Sequence, residues 1–186
     1  RLSERKDGTA WTAQELQQLR DQQVTLWQNA DVAHRTLAVA VGNEIKLLDW
    51  TIGRLLERMP MRHKGAVQSL AVLEHAGRLM LTSGSDDGVV CLWNGATGEQ
   101  LPHTVIWHGG IVASVAMLGH AGRLVVASGG TDRSIPLWDG ASGQLLPHAA
   151  MRCQHWVTSV ALLDHAGQLV LAAGSADGVV RLWDGA

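Results

Sequence analysis

The strongest constraint on this chain is that it repeats itself. Leu92-Trp93, Leu137-Trp138 and Leu182-Trp183 fall at intervals of 45 residues, and the triplets His75-Ala76-Gly77, His120-Ala121-Gly122 and His165-Ala166-Gly167 keep the same interval. Aligned without a gap, residues 63–94 and 108–139 agree at 16 of 32 positions. Self-similarity at such a period belongs to arrays of equivalent structural units, each of which buries its apolar surface only by stacking on its neighbours.

Within one unit the strands can be counted. In the third unit, residues 111–118 form an apolar-rich run, 119–122 a turn and 123–128 a second run. Residues 129–133 turn again, 134–138 make a third short strand, 139–143 a further turn, and 144–151 a fourth strand. Strands at this spacing with Gly-rich turns predict an all-β chain. Four antiparallel strands repeated as a unit make the blade of a β-propeller. Pro102 and Pro147 fall in the expected fourth strand, at the blade's outer edge, where a missing N–H faces solvent. Pro136 falls in the third strand, between two neighbours, and should forfeit a ladder bond or mark a bulge.

From about residue 24 to the end, the chain resembles the WD-repeat family of β-propellers. Family blades close on Leu-Trp-Asp, as at Leu137-Trp138-Asp139 and Leu182-Trp183-Asp184, with Leu92-Trp93-Asn94 in the second unit. The resemblance implies a hydrogen-bonded structural tetrad of His, Ser or Thr, Asp and Trp. It assigns His63, Ser83, Asp87 and Trp93 in the second unit, and His108, Ser128, Asp132 and Trp138 in the third. In the last unit Cys153 and Ala173 stand at the His and Ser positions, and only Asp177 and Trp183 remain.

The expected organisation is an N-terminal segment at 1–22, then blades at about 23–62, 63–107, 108–152 and 153–186. In the first segment Thr12-Ala13-Gln14-Glu15 has the form of a helix capping box; the alternative is that residues 11–19 supply an outer strand. The first blade is degenerate: residues 35–42 read as its second strand, Leu48 replaces the Trp, and its next turn reads about three residues short. Family rings usually close with six to eight blades. Three clear blades and one degenerate one therefore make an incomplete ring. The start at Arg1 and the stop after a third strand favour a piece of a longer propeller. The alternative is a half-ring that pairs with a second copy into eight blades.

Composition removes several classes of function. A net charge of −2 and a pI near 6.5 leave no electrostatic footprint for nucleic acid or an anionic membrane, and the apolar runs are too interrupted to span a bilayer. Cys91 and Cys153 fall at different points of different repeats; two unpaired thiols fit a reducing, cytoplasmic setting. No Cys-x-x-Cys, Gly-x-Ser-x-Gly or phosphate-loop motif is present. The periodic His75, His120 and His165 fall on neighbouring blades, and packed sheets stand about 10 Å apart, too far to share one ion. Ser83 and Ser128 have His and Asp companions, but in the resembling family that trio is structural. No catalytic group, cofactor or metal is expected.

Binding is the remaining class. The loops on one end of a propeller contribute Lys64, Asp86, Trp107, Ile111, Arg133, His155 and Trp156, and aromatic, apolar and Arg side chains are the types that dominate binding hot spots. Trp156 is the leading anchor and Arg133 the second. The other fate for Trp156 is packing under its adjacent loop, and Trp107 is expected to be buried between blades. The sequence thus predicts a non-catalytic scaffold or docking module for protein partners, with a self-assembling half-ring as the alternative. An enzyme using the central channel would need two convergent ionisable groups there.

Overall fold

The computed structural model describes residues 26–28, 36–49, 54–55, 61–102, 105–147 and 151–184. The segment 1–22, with its two readings, lies outside them. The described residues form four successive antiparallel blades, the third of them divided into two hydrogen-bonded sheets. The first contains β1 (Leu26–Gln28), β2 (Thr36–Val41) and β3 (Glu44–Asp49), with β4 (Arg54–Leu55) and β5 (Met61–Arg62) both paired to β3. The second runs β6 (Val67–His75), β7 (Arg78–Ser85), β8 (Val89–Asn94) and β9 (Ile106–Trp107). The third has β10 (Val112–His120), β11 (Arg123–Gly130), β12 (Ser134–Ile135), β13 (Leu137–Asp139) and β14 (Met151–Arg152). The last has β15 (Val157–His165), β16 (Gln168–Ser175) and β17 (Val180–Asp184), with no outer strand on β17 among the described residues. The fold is a run of propeller blades.

Local chemistry fixes each blade. The turn between its first two strands is tighter than the expected 119–122: His120 pairs with Arg123, so Ala121 and Gly122 alone make it. Both take the left-handed conformation, at φ 48° and 76°, as do Ala76-Gly77 and Ala166-Gly167. That is the turn whose twist matches paired strands, and the alanine holds it against a steric cost. Pro136 splits the third strand. β12 pairs only outward with β14 and β13 only inward with β11, because the proline has no N–H to carry the ladder through.

The outer strand also departs from expectation. Instead of one run over 144–151, Leu145 bridges Trp138 and the ladder resumes at β14; in the second blade Gln100 bridges Trp93 before β9. Pro102 and Pro147 stand in turns between these pieces, not within a strand. In the first blade the shortened turn loses one residue, not three. Leu37 pairs with Leu48, eleven residues on, where Leu81 pairs with Trp93, twelve residues on.

Three apolar layers join the four blades. Ala38, Ala40, Ile45 and Leu47 of the first blade meet Leu70, Leu81, Cys91 and Trp93 of the second. Met80, Val90 and Leu92 of the second meet Val112, Val115 and Val126 of the third. Val125, Ile135 and Leu137 of the third meet Val157, Val160 and Leu171 of the last. Each fully buried Leu, Ile or Val contributes about 1.5–3 kcal/mol, so the seams between sheets carry the stability.

Each seam from the second blade onward is keyed in the same way. A Cβ on Gly84 would overlap Val112 Cγ1 and come within 2.9 Å of Val115 Cγ1; Gly129 receives Val157 and Val160 identically. Beside each key a bulge interrupts the first strand, between Val112 and Ser114 and between Val157 and Ser159. The amide just past the bulge crosses the seam: Val115 N–H donates to Ser69 Oγ, and Val160 N–H to Ser114 Oγ, both at 3.1 Å.

Candidate functional site

The tetrads assemble at one end of the second and third blades. Trp93 Nε1–H donates to Ser83 Oγ at 2.7 Å, and that oxygen lies 2.7 Å from His63 Nε2. With its acceptor side occupied by the indole, the hydroxyl donates to Nε2. The ring proton then sits on Nδ1, which faces Asp87 Oδ2 at 3.4 Å. The third blade repeats the arrangement with different tension. His108 Nδ1 is 3.0 Å from Asp132 Oδ2 and Nε2 is 2.8 Å from Ser128 Oγ, but the Trp138 indole stands at 3.2 Å.

Asp87 and Asp132 carry this order into the loops. Asp87 Oδ2 accepts from the N–H groups of Lys64 and Gly65, and its Oδ1 accepts from Val89 N–H. Burial alone would raise the Asp87 pKa, but these three amides and the facing His63 hold it below the ordinary carboxylate range. Asp132 accepts from Gly109 N–H and from the Ser134 hydroxyl and amide. Its carboxyl is likewise held low against its burial, first by Ser134 and then by His108. Burial pushes the His63 pKa down, against the pull of Asp87, so the imidazole is neutral at physiological pH.

These contacts brace the loops. Ser83 and Ser128 are each 0% exposed, and each hydroxyl is engaged by a histidine on one side and an indole on the other. Cys91 is buried and its thiol is pushed up to about 12, which keeps it protonated. No group of three or more metal-ligating side chains occurs among the described residues. His120 Nδ1 instead pairs with Asp164 Oδ2 of the next blade at 2.7 Å, and His75 lies over Gly119, which holds the Asp164 position one unit earlier.

The last blade substitutes for its lost tetrad. With Cys153 at the histidine position, Asp177 takes Arg181, four residues on, at 2.9 Å. Arg181 was legible only as a charge in a third strand where the other blades have Cys91 and Pro136. Also missed were Ser69 and Ser114, whose 45-residue interval was the available signal.

All seven candidate binding residues are exposed, and the loops bearing most of them are tied down. Ile111 N–H donates to Thr131 Oγ1 and its carbonyl accepts from Thr131 N–H, which fixes it beside the turn that carries Arg133. Asp86 N–H reaches across to Ala66 O, two residues beyond Lys64, and Ala176 N–H reaches Trp156 O. Arg133 itself takes the left-handed conformation, at φ 69°. Trp156 is 60% exposed, so it does not pack under its loop. Trp107 is 68% exposed, contrary to the burial expected of it. On β9 the alternation turns Ile106 into the seam, at 2%, and the following Trp107 outward. Trp107 and Arg152 flank a cleft of about 270 Å³ whose other walls include Asp132, Pro136, Trp138 and Leu145. It therefore sits at the outer strand beside the loop face.

Comparison with known proteins agrees with this geometry. The family model described as WD domain, G-beta repeat matches residues 56–94, 99–139 and 148–184, leaving the core of the first blade unmatched. No curated protein matches the chain. Among solved structures, the computationally designed Ika4 protein superposes with a TM-score of 0.68 at 24% identity, covering 86% of this chain and 95% of that one. The WD40 β-propeller domain of Doa1 gives a TM-score of 0.65 at 24% identity, covering 85% of this chain and 50% of that one. Three matched repeats over most of the sequence, with a like fold in both neighbours, establish that the chain belongs to the WD-repeat family of β-propellers.

Proposed function

We propose that the chain is a non-catalytic protein-interaction scaffold whose loop end receives a protein partner, with Trp156 and Arg133 as its main anchors. The observation that carries this is the pairing of exposure with rigidity. Large apolar, aromatic and Arg side chains stand in solvent on loops pinned by partly buried carboxylates and cross-loop amides. Pre-formed loops lose little entropy on binding, so anchor burial appears more fully as affinity. WD-repeat propellers in general serve as such scaffolds, and the fully engaged Ser83 and Ser128 argue against a hydrolytic use of the same trio. A cytoplasmic setting fits two buried free thiols.

The test is capture of partners from lysate by the wild-type chain and by Trp156→Ala/Arg133→Ala. Loss of the specific partners by the double variant, with an unchanged melting curve, supports the reading. Retention of every partner would remove this face from consideration.

A further inference from the structure

Where Pro136 breaks the third strand, the outer edge of the third blade breaks with it: Leu145 bridges Trp138, and the ladder resumes only at Met151. The cleft of about 270 Å³ opens at this gap, with Pro136, Trp138 and Leu145 on the third blade and Trp107 on the second. In the second blade the third strand runs unbroken through Cys91. There Gln100, 45 residues before Leu145, turns its amide back to Cys91 Sγ at 3.6 Å. Leu145 has no polar group to turn inward and is 54% exposed.

The cleft also carries a cation without a partner. Arg62, Trp107 and Arg152 occupy one position at intervals of 45 residues, on the outer strands β5, β9 and β14. Arg62 lies opposite Glu44 and reaches that carboxylate at 2.6 Å. In the third blade Ser134 stands opposite Arg152, and its hydroxyl is committed to Asp132 at 2.6 Å. Asp132 in turn takes Gly109 N–H, the Ser134 amide and His108 Nδ1, all within its own blade. Among the described residues no ion pair reaches the Arg152 guanidinium.

We infer that this cleft is a second binding site, separate from the Trp156 anchor, for a short segment of a protein partner in which a large apolar side chain lies beside an Asp or Glu. The apolar side chain enters against Trp107, Pro136, Trp138 and Leu145, and the carboxylate takes the Arg152 guanidinium in a charge-assisted pair. The volume of about 270 Å³ lies below the range of about 300–1,000 Å³ usual for small-molecule sites, so the cleft holds a side chain and not a whole ligand. With the Asp132 carboxylate already in the lining, a single guanidinium balances one carboxylate better than a doubly charged phosphate.

The test is selection of a random phage-displayed peptide library on the 186-residue chain, followed by fluorescence-anisotropy titration of the enriched peptides. Selection should enrich sequences with a large apolar residue next to Asp or Glu. Arg152→Glu and Trp107→Ala should each weaken their binding at least about tenfold. Both sites are exposed, so the melting curves should not move. Replacing the peptide's acidic residue by Lys should restore binding to Arg152→Glu, which a merely structural role for the arginine would not do. Trp156→Ala should bind the peptides like the wild type. A selection that enriches no apolar-acidic sequence overturns the inference. So do enriched peptides that bind Arg152→Glu and Trp107→Ala as tightly as the wild type, and so do peptides lost with Trp156→Ala, which belong to the loop end. In each of those cases partner capture that depends on Trp156 and Arg133 would leave the proposed loop-end function standing.

Discussion

In the second blade, Val90 and Leu92 are wholly buried, Ser83 lies between His63 and Trp93, and Gly84 receives two valines from the next blade. In the last blade, Val180 and Leu182 lie open to solvent, Ala173 replaces the serine, and Gly174 receives nothing. Yet both carry the sequence Asp-Gly-Val-Val, one residue, then Leu-Trp, and both pair their first three strands in the same register. Strand pairing is a property of the blade, whereas burial is a property of the seam. The tetrad can lapse in one blade without loss of pairing, because its contribution is to fix a loop and satisfy an indole, and Arg181 supplies a substitute partner for the remaining aspartate.

The comparison can be broken most sharply at its largest difference. Leu92→Ala should cost about 2–5 kcal/mol in denaturant unfolding, by the transfer and cavity terms of a core leucine. Leu182→Ala, measured dilute, should stay within about 0.5 kcal/mol of wild type. Equal losses would mean that the last blade's face is covered in the single chain.

Ser83→Ala tests the tetrad. It leaves the Trp93 indole N–H and His63 Nε2 without their shared partner in a buried site, and should cost about 1–3 kcal/mol. Ser128→Ala should cost less, because the Trp138 indole bond there is longer and the ring is partly exposed. A larger effect at Ser128 would reverse the ranking of the two tetrads.

Acid gives the smallest and most gradual separation. The folded-state pKa of His63 lies below its unfolded value of 6.5, so the unfolded chain takes up the proton first. The His63 contribution is complete above pH 6.5 and is lost as pH falls from there through the lowered value. Asp87 and Asp132 have folded values below 3.8, so their contributions persist to lower pH and fail as pH drops from about 3.8 downward. Unfolding measured from pH 7.5 to 5 should show the first decline in the wild type and not in His63→Gln. A decline of the same size in both would place the acid sensitivity elsewhere.

Much of the fold was legible because repetition at a fixed interval converts weak local signals into one strong one. The blades, the Trp-closed third strands and the tetrad residue types are all periodic, and sequence reports periodic features directly. The errors fall where the period is broken or where a neighbour decides. Pro102 and Pro147 were assigned to an outer strand that in fact consists of separate pieces. Trp107 was assigned to a seam that Ile106 fills, since alternation sends only one of two adjacent residues inward. Arg181 was overlooked because its meaning depends on Asp177 having lost a histidine.

What the sequence determined by itself is the blade: its alternation, its Ala-Gly turn and its 45-residue repeat act through neighbours along the chain or across one hairpin. What only the tertiary structure decided is which identical residues become core and which become surface. Leu92, Leu137 and Leu182 occupy one position in one pattern, and nothing in that pattern says whether a blade follows. Hydrophobic burial depends on the surface removed from water, and that surface is removed by the adjacent sheet, not by the strand that carries the leucine.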